Sequence, residues 1–132
     1  NTSKIVKNVP KFLVFSGTES FLLSTLFLGG AGCISASANL TSKECQKVVL
    51  AWKKDQKKKA EQSQIKLSKL RKILETHPFV SGLKGLFANQ PNSETWEQML
   101  PPFKPLLSEQ VQILENQIKE FGIDLGMLLR KN

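Results

Sequence analysis

The chain has 132 residues, with 19 Lys+Arg against 11 Asp+Glu and a formal net charge of +8. That length holds one domain and is too short for a complete (β/α)8 barrel, which takes about 250 residues; 40% hydrophobic and 23% charged residues also argue against disorder of the whole chain. A single His excludes a multi-histidine metal site, and two Cys cannot staple a disulfide-rich fold, so core packing has to supply the stability.

In chain order, residues 1–9 predict a short helix ended by Pro10. Phe12-Leu13-Val14-Phe15 is a continuous apolar run bounded by Pro10-Lys11 and Ser16-Gly17, which suits a strand buried on both faces in a parallel sheet. Thr18 to Leu28 reads as a helix with Leu22, Leu23, Leu26 and Phe27 on one side, ended by Gly29-Gly30. Its apolar stretch, Phe21 to Leu28, is too short for a membrane span, which needs about 18 apolar residues. A second short strand is expected at Cys33-Ile34, among small residues that permit close backbone approach. Thr41-Ser42-Lys43-Glu44 matches a capping box opening a helix that carries Cys45, Val48, Val49 and Trp52 at helical spacing. Residues 1–55 thus read helix, strand, helix, strand, helix, the pattern of parallel strands joined by crossover helices.

Residues 56–132 show no comparable strand. Gln56 to Glu75 predicts a polar, basic helix with a Leu67, Leu70, Leu74 seam, broken at His77-Pro78. Phe79 to Ala88 predicts a short helix with Val80, Leu83 and Phe87 on one side, and residues 90–105 a proline-punctuated loop with Pro91, Pro101, Pro102 and Pro105. Ser108 is the expected N-cap of a last helix with Val111, Leu114, Ile118 and Phe121 inward.

Asn1-Thr2-Ser3 and Asn39-Leu40-Thr41 match the N-glycosylation pattern, but no signal peptide is visible. The triplets read as chance matches, and Cys33 and Cys45 as reduced thiols of a cytoplasmic protein.

Ligands of parallel α/β sheets bind at the carboxyl ends of the strands. Those ends are Ser16-Gly17-Thr18-Glu19 and Ile34-Ser35-Ala36-Ser37. Gly17 leaves room near the backbone, while Thr18 and Glu19 open a helix, where capping and dipole effects compete with ligand contact as their explanation. Lys53, Lys54, Lys57, Lys58 and Lys59 form a charge run without interleaved aromatics, read as a solvated helix face, with an anionic-partner patch as the alternative. His77 reads as a turn residue and Lys84 as a helix surface lysine; no nucleophile–His–carboxylate spacing supports a triad.

Val14-Phe15-Ser16-Gly17-Thr18-Glu19, followed by Gly29-Gly30-Ala31-Gly32-Cys33-Ile34-Ser35 and Asn39, resembles the dihydrodipicolinate synthase / N-acetylneuraminate lyase family. Gly82-Leu83-Lys84 and Trp96 through Pro101-Pro102-Phe103-Lys104-Pro105-Leu106 are similar to later segments of the same family. The resemblance implies an α/β fold, the C-terminal portion of a (β/α)8 TIM barrel (strands 7 and 8 with flanking helices) over residues 1–55, followed by a C-terminal helical extension over 56–132.

It further implies a class I aldolase, lyase or synthase that forms a lysine Schiff base with pyruvate, without cofactor or metal, as a homotetramer. Mapped onto the family, the Schiff-base lysine and the proton-relaying tyrosine fall before Asn1, in agreement with the zero Tyr count, so this segment alone is expected to be inactive. Gly17, Thr18, Glu19, Ile34 and Ser35 are then the substrate-binding positions: Gly17 and the Ile34 carbonyl by backbone, Ser35 in the pocket wall, and Thr18 and Glu19 toward the distal part of the substrate. Thr18-Glu19 departs from the aspartate pair or aromatic–Asp that members often carry, which leaves the second substrate open. The rival reading, a basic helical module for nucleic acid or an acidic protein, rests on charge alone and gives the glycine motifs no role.

Overall fold

The computed structural model describes residues 2–9, 11–89 and 94–123; Asn1, Pro10 and Pro91, on which an acceptor triplet, a helix stop and a loop proline were expected, lie outside them. The chain divides into two compact units, residues 1–71 and 72–132.

The first unit begins with helix α1 (Thr2–Asn8), none of whose residues is buried. Strand β1 (Phe15–Ser16) pairs in parallel with β2 (Gly32–Cys33), with Phe15 opposite Gly32 and Ser16 opposite Cys33. Backbone bonds from Ala31 N–H to the Val14 carbonyl (2.7 Å) and from Ile34 N–H to the Ser16 carbonyl (2.9 Å) continue the pairing on either side. The connection is a 3-10 turn (Glu19–Phe21) running into α2 (Leu22–Phe27). It ends in a Schellman arrangement: Gly30 N–H bonds the Thr25 carbonyl and Gly29 N–H the Leu26 carbonyl, with Gly29 at φ +82°.

Helices α3 (Ala38–Lys53) and α4 (Lys57–Leu74) follow. Between them Asp55, at φ 54°, stands where a glycine usually would, with Gln56 N–H on the Ala51 carbonyl and Asp55 N–H on that of Trp52. The core of this unit is Leu22, Leu23, Val48, Ala51, Ala60 and Leu67, with Leu26, Cys33, Cys45, Val49 and Trp52 packed at its margin.

Several expectations change in detail. The second strand lies one residue earlier than Cys33-Ile34. Burial of the first apolar run on both faces does not occur within the unit: Val14 is buried, but Leu13 is 70% and Phe12 61% exposed. Alternate strand residues point to opposite faces, and no described helix of the unit covers the side that Leu13 and Phe15 occupy. Phe27 is not a core residue of α2; it lies exposed against Trp52, with ring centroids 4.5 Å apart. The Thr41–Glu44 capping box does not form, because the helix already starts at Ala38 and Thr41 Oγ1 donates back to the Ser37 carbonyl (3.1 Å). Thr41 instead marks a kink, at φ −108° and ψ 15°, where hydroxyl back-bonding bends a helix.

In the second unit, α5 (Phe79–Ala88) starts just after Pro78, and a 3-10 turn (Glu94–Glu97) precedes α6 (Ser108–Glu120). Gly82 and Gly85 let α5 approach α6: an added Cβ would meet Leu114 Cδ2 at 3.3 Å and Val111 Cγ2 at 2.9 Å respectively. Leu83, Leu86 and Phe87 are buried on α5, whereas Val80 is exposed rather than inward because it sits in the first turn. Val111, Leu114 and Ile118 are buried as expected, and Phe121 is half-buried. Ser108 is the first residue of α6 rather than its cap; the Gln110 side chain accepts from Leu107 N–H (3.0 Å) and closes that end.

Candidate functional site

The two strand-end loops lie side by side because the strands run parallel and in register. Ser16 Oγ donates to the Thr18 carbonyl (3.0 Å) and reaches the Gly32 carbonyl (3.4 Å), tying one loop to the other strand. Gly17 is exposed, and an added Cβ would meet nothing within 4 Å, so the packing described does not require a glycine there. Thr18 is the N-cap of the 3-10 turn, at φ −147° and ψ 141°, with Oγ1 accepting from Ser20 N–H (3.3 Å). Ile34 is 73% exposed and Ser35 half-buried.

Glu19 is the surprise: an acidic side chain with 0% exposure. One oxygen accepts from Ser35 Oγ (2.5 Å) and from Arg71 Nη1 (3.3 Å), and the other from Ser37 Oγ. Arg71 Nη1 also bonds Ser37 Oγ (3.0 Å) and Ser35 Oγ (3.3 Å), and the two hydroxyl oxygens are 3.0 Å apart. A buried carboxylate survives when a cation and additional hydrogen bonds satisfy it, and removing one member of such a pair costs about 3–5 kcal/mol.

Two turns earlier on α4, seven residues before Arg71, Gln64 grips the backbone of the same loop. Its Oε1 accepts from Leu23 N–H (2.9 Å), and its Nε2 donates to the carbonyls of Glu19 (3.1 Å) and Ser20 (3.2 Å) and to Ser68 Oγ (3.1 Å).

The structure therefore gathers Gly17, Thr18, Glu19, Ile34 and Ser35 at one end of the strand pair. Three further residues join them: Ser37, which the sequence placed on the second strand end without a role, and Gln64 and Arg71, which it did not single out. A signal existed for Gln64 and Arg71, since they keep helical step with the Leu67 and Leu74 seam and so share its inward face. Lys84 belongs to the second unit, where its Nζ donates to the Gln98 carbonyl. That unit also carries an open groove of about 390 Å³ lined by residues such as Trp96, Met99 and Leu106. Among the described residues no group of His, Cys, Asp and Glu could hold a metal ion, and no helix is long and apolar enough to cross a membrane.

The chain is similar to 4-hydroxy-tetrahydrodipicolinate synthase of Methanococcoides burtonii, at 29% identity over 128 residues, covering 91% of this chain and 41% of that protein. It is 42% identical over 86 residues to the Escherichia coli K12 protein named "Probable 2-dehydro-3-deoxy-D-pentonate aldolase", covering 64% of this chain and 28% of the other. Among solved structures it resembles YagE, a prophage protein of the dihydrodipicolinic acid synthase family from E. coli K12 in complex with pyruvate. That likeness has a TM-score of 0.77 and 26% identity over 93% of this chain and 43% of the other. The chain thus spans less than half the length of these relatives. Residues 1–121 match the dihydrodipicolinate synthetase family, and the chain, with its parallel strand pair and glycine-flanked strand ends, belongs to that family.

Proposed function

We propose that this chain forms the closing part of a class I, pyruvate-dependent aldolase or synthase. Enzymes of the family work through a covalent lysine–pyruvate Schiff base and use no external cofactor. In this reading β1 and β2 are strands seven and eight of a (β/α)8 barrel that ends at residue 55, and residues 56–132 are a C-terminal helical extension. The Schiff-base lysine comes from sequence preceding this chain. Its amine condenses with the keto carbon of pyruvate, losing water, and the derived enamine makes or breaks the carbon–carbon bond to an aldehyde or sugar-acid partner.

The residues of this chain supply pocket wall. Gly17 admits the substrate close to the backbone, Ile34 turns its carbonyl to the pyruvyl group, and Ser35 follows it in the wall. Thr18 and Glu19 shape the distal end; because the Glu19 carboxylate is spent on Ser35, Ser37 and Arg71, it does so without a free charge. The observation that carries the reading is the conjunction at Gly17 and Ile34: both are open on a strand end whose neighbours are buried and tightly bonded. The working form would be a homotetramer in the cytoplasm, a reducing compartment that suits Cys33 and Cys45, which are not joined in a disulfide.

Borohydride trapping with pyruvate tests this. A longer polypeptide carrying this chain should be labelled on a lysine outside it, and the 132 residues alone should not be labelled. Labelling of the isolated chain, at Lys84 for instance, would overturn the assignment. In the same longer polypeptide, not treated with borohydride, Gly17→Ala should leave stability within about 0.5 kcal/mol and lower kcat/KM, because the new methyl group meets substrate rather than protein.

A further inference from the structure

We infer that Gln64 and Arg71 are positioning residues, which lock the loops after β1 and β2 together and fix the pocket wall that they form. The two side chains are seven residues apart on α4, two turns and about 10.5 Å along the axis, so they leave the same helix face. Gln64 holds the first loop by its backbone, through the Glu19 and Ser20 carbonyls and Leu23 N–H. Arg71 holds the side chain of Glu19, through which it reaches the second loop at Ser35 and Ser37. Glu19 is thus held at both ends by one helix, and it joins the two loops.

The direction of the bonds matters. Arg71 can only donate, and an ionised Glu19 can only accept. Between them Ser35 Oγ accepts from Arg71 and donates its proton to Glu19, an orientation fixed by its neighbours. Its hydroxyl is therefore committed to the scaffold. The wall at Ile34-Ser35 offers the substrate backbone groups, and Ser35 acts by setting where those groups stand. A guanidinium bridges the carboxylate and both hydroxyls from fixed geometry, which the single ammonium of a lysine reproduces only in part.

Loop locking stands on the bonding alone, whereas its consequence for turnover rests on the aldolase reading above. Both are tested with Arg71→Met, Arg71→Lys and Gln64→Met. Amide hydrogen exchange on the full 132-residue chain should be at least about tenfold faster in Arg71→Met at Ile34, Ala38 and Leu40, and at Phe21 and Leu23, for local opening governs exchange. Exchange in α3 beyond Val48 and in α6 should be unchanged, and Arg71→Lys should recover part of the protection. Acceleration spread evenly over the first unit would show a purely structural role and overturn the inference, as would no acceleration at all. If Arg71→Met fails to fold, Gln64→Met decides by the same criterion at Phe21 and Leu23. In the untreated longer polypeptide that proves able to trap pyruvate, Arg71→Met should lower kcat/KM about 10- to 100-fold, the scale of a misplaced contact, while a separate sample should still trap pyruvate with borohydride. Unchanged kcat/KM would overturn the positioning role. A wild-type enzyme that traps no pyruvate would instead sink the aldolase reading and leave the exchange result to judge the locking.

Discussion

Cys33 and Cys45 show how a residue's surroundings set its chemistry. They stand on β2 and α3, packed at the margin of the same core, and Thr41 Oγ1 lies 3.8 Å from the Cys45 sulfur. Burial pushes the Cys45 thiol up to about 12 and also raises Cys33, with the negative charge of Glu19 adding to both. The fold therefore favours the neutral thiols, while in the unfolded chain they ionise near 9. The stability this contributes is complete below pH 9 and is lost as pH rises from there toward 12. Urea midpoints measured across that window should fall more steeply for the native sequence than for a Cys33→Ala/Cys45→Ala variant. At pH 8 iodoacetamide should alkylate both thiols more slowly in the folded chain than in the denatured one, since the thiolate is the nucleophile. Burial of this kind is written in the three-dimensional packing; the sequence placed Cys33 among small residues and Cys45 in helical step with Val48, Val49 and Trp52.

At the scale of elements, the end of α2 gives a sharp test. Gly30 follows the positive-φ Gly29, and an added Cβ at Gly30 would meet Thr25 Cγ2 at 2.5 Å, the Thr25 carbonyl oxygen at 2.9 Å and the Val14 carbonyl oxygen at 3.0 Å. Two of these atoms are backbone and cannot turn aside. Gly30→Ala should therefore destabilise the first unit by about 1–3 kcal/mol, the usual cost of overpacking, and an unchanged denaturation midpoint would show that the strand–helix junction yields more easily than drawn.

The glycine pair was legible in the sequence as a helix end, as were the breaks at His77-Pro78 and the Leu67, Leu70, Leu74 seam, because glycine, proline and helical period act locally. The Thr41–Glu44 signal misled for an equally physical reason: a cap needs the preceding residue to leave the helix, and here Ser37 has already opened it.

At the scale of the whole molecule, the first unit leaves Phe12, Leu13 and Ile34 exposed beside a two-stranded sheet with open edges. Apolar surface next to unpaired strand edges drives association. The isolated chain should sediment as concentration-dependent oligomers, and Leu13→Asp with Ile34→Asp should shift it toward monomer; a native chain that stays monomeric at high concentration would show that these residues are covered in solution.

The sequence by itself determined the order of helices and strands, the strand-end loops and the family, since each rests on local periodicity, turn residues or short motifs. It placed Gly17, Thr18, Glu19, Ile34 and Ser35 on those loops and left Glu19 open between cap and ligand contact. Only the tertiary structure showed that its carboxylate is buried and paired with Arg71. Arg71 lies 52 residues after Glu19, and a buried charge acquires its meaning from the partner that the fold brings to it, which no local pattern around Glu19 encodes.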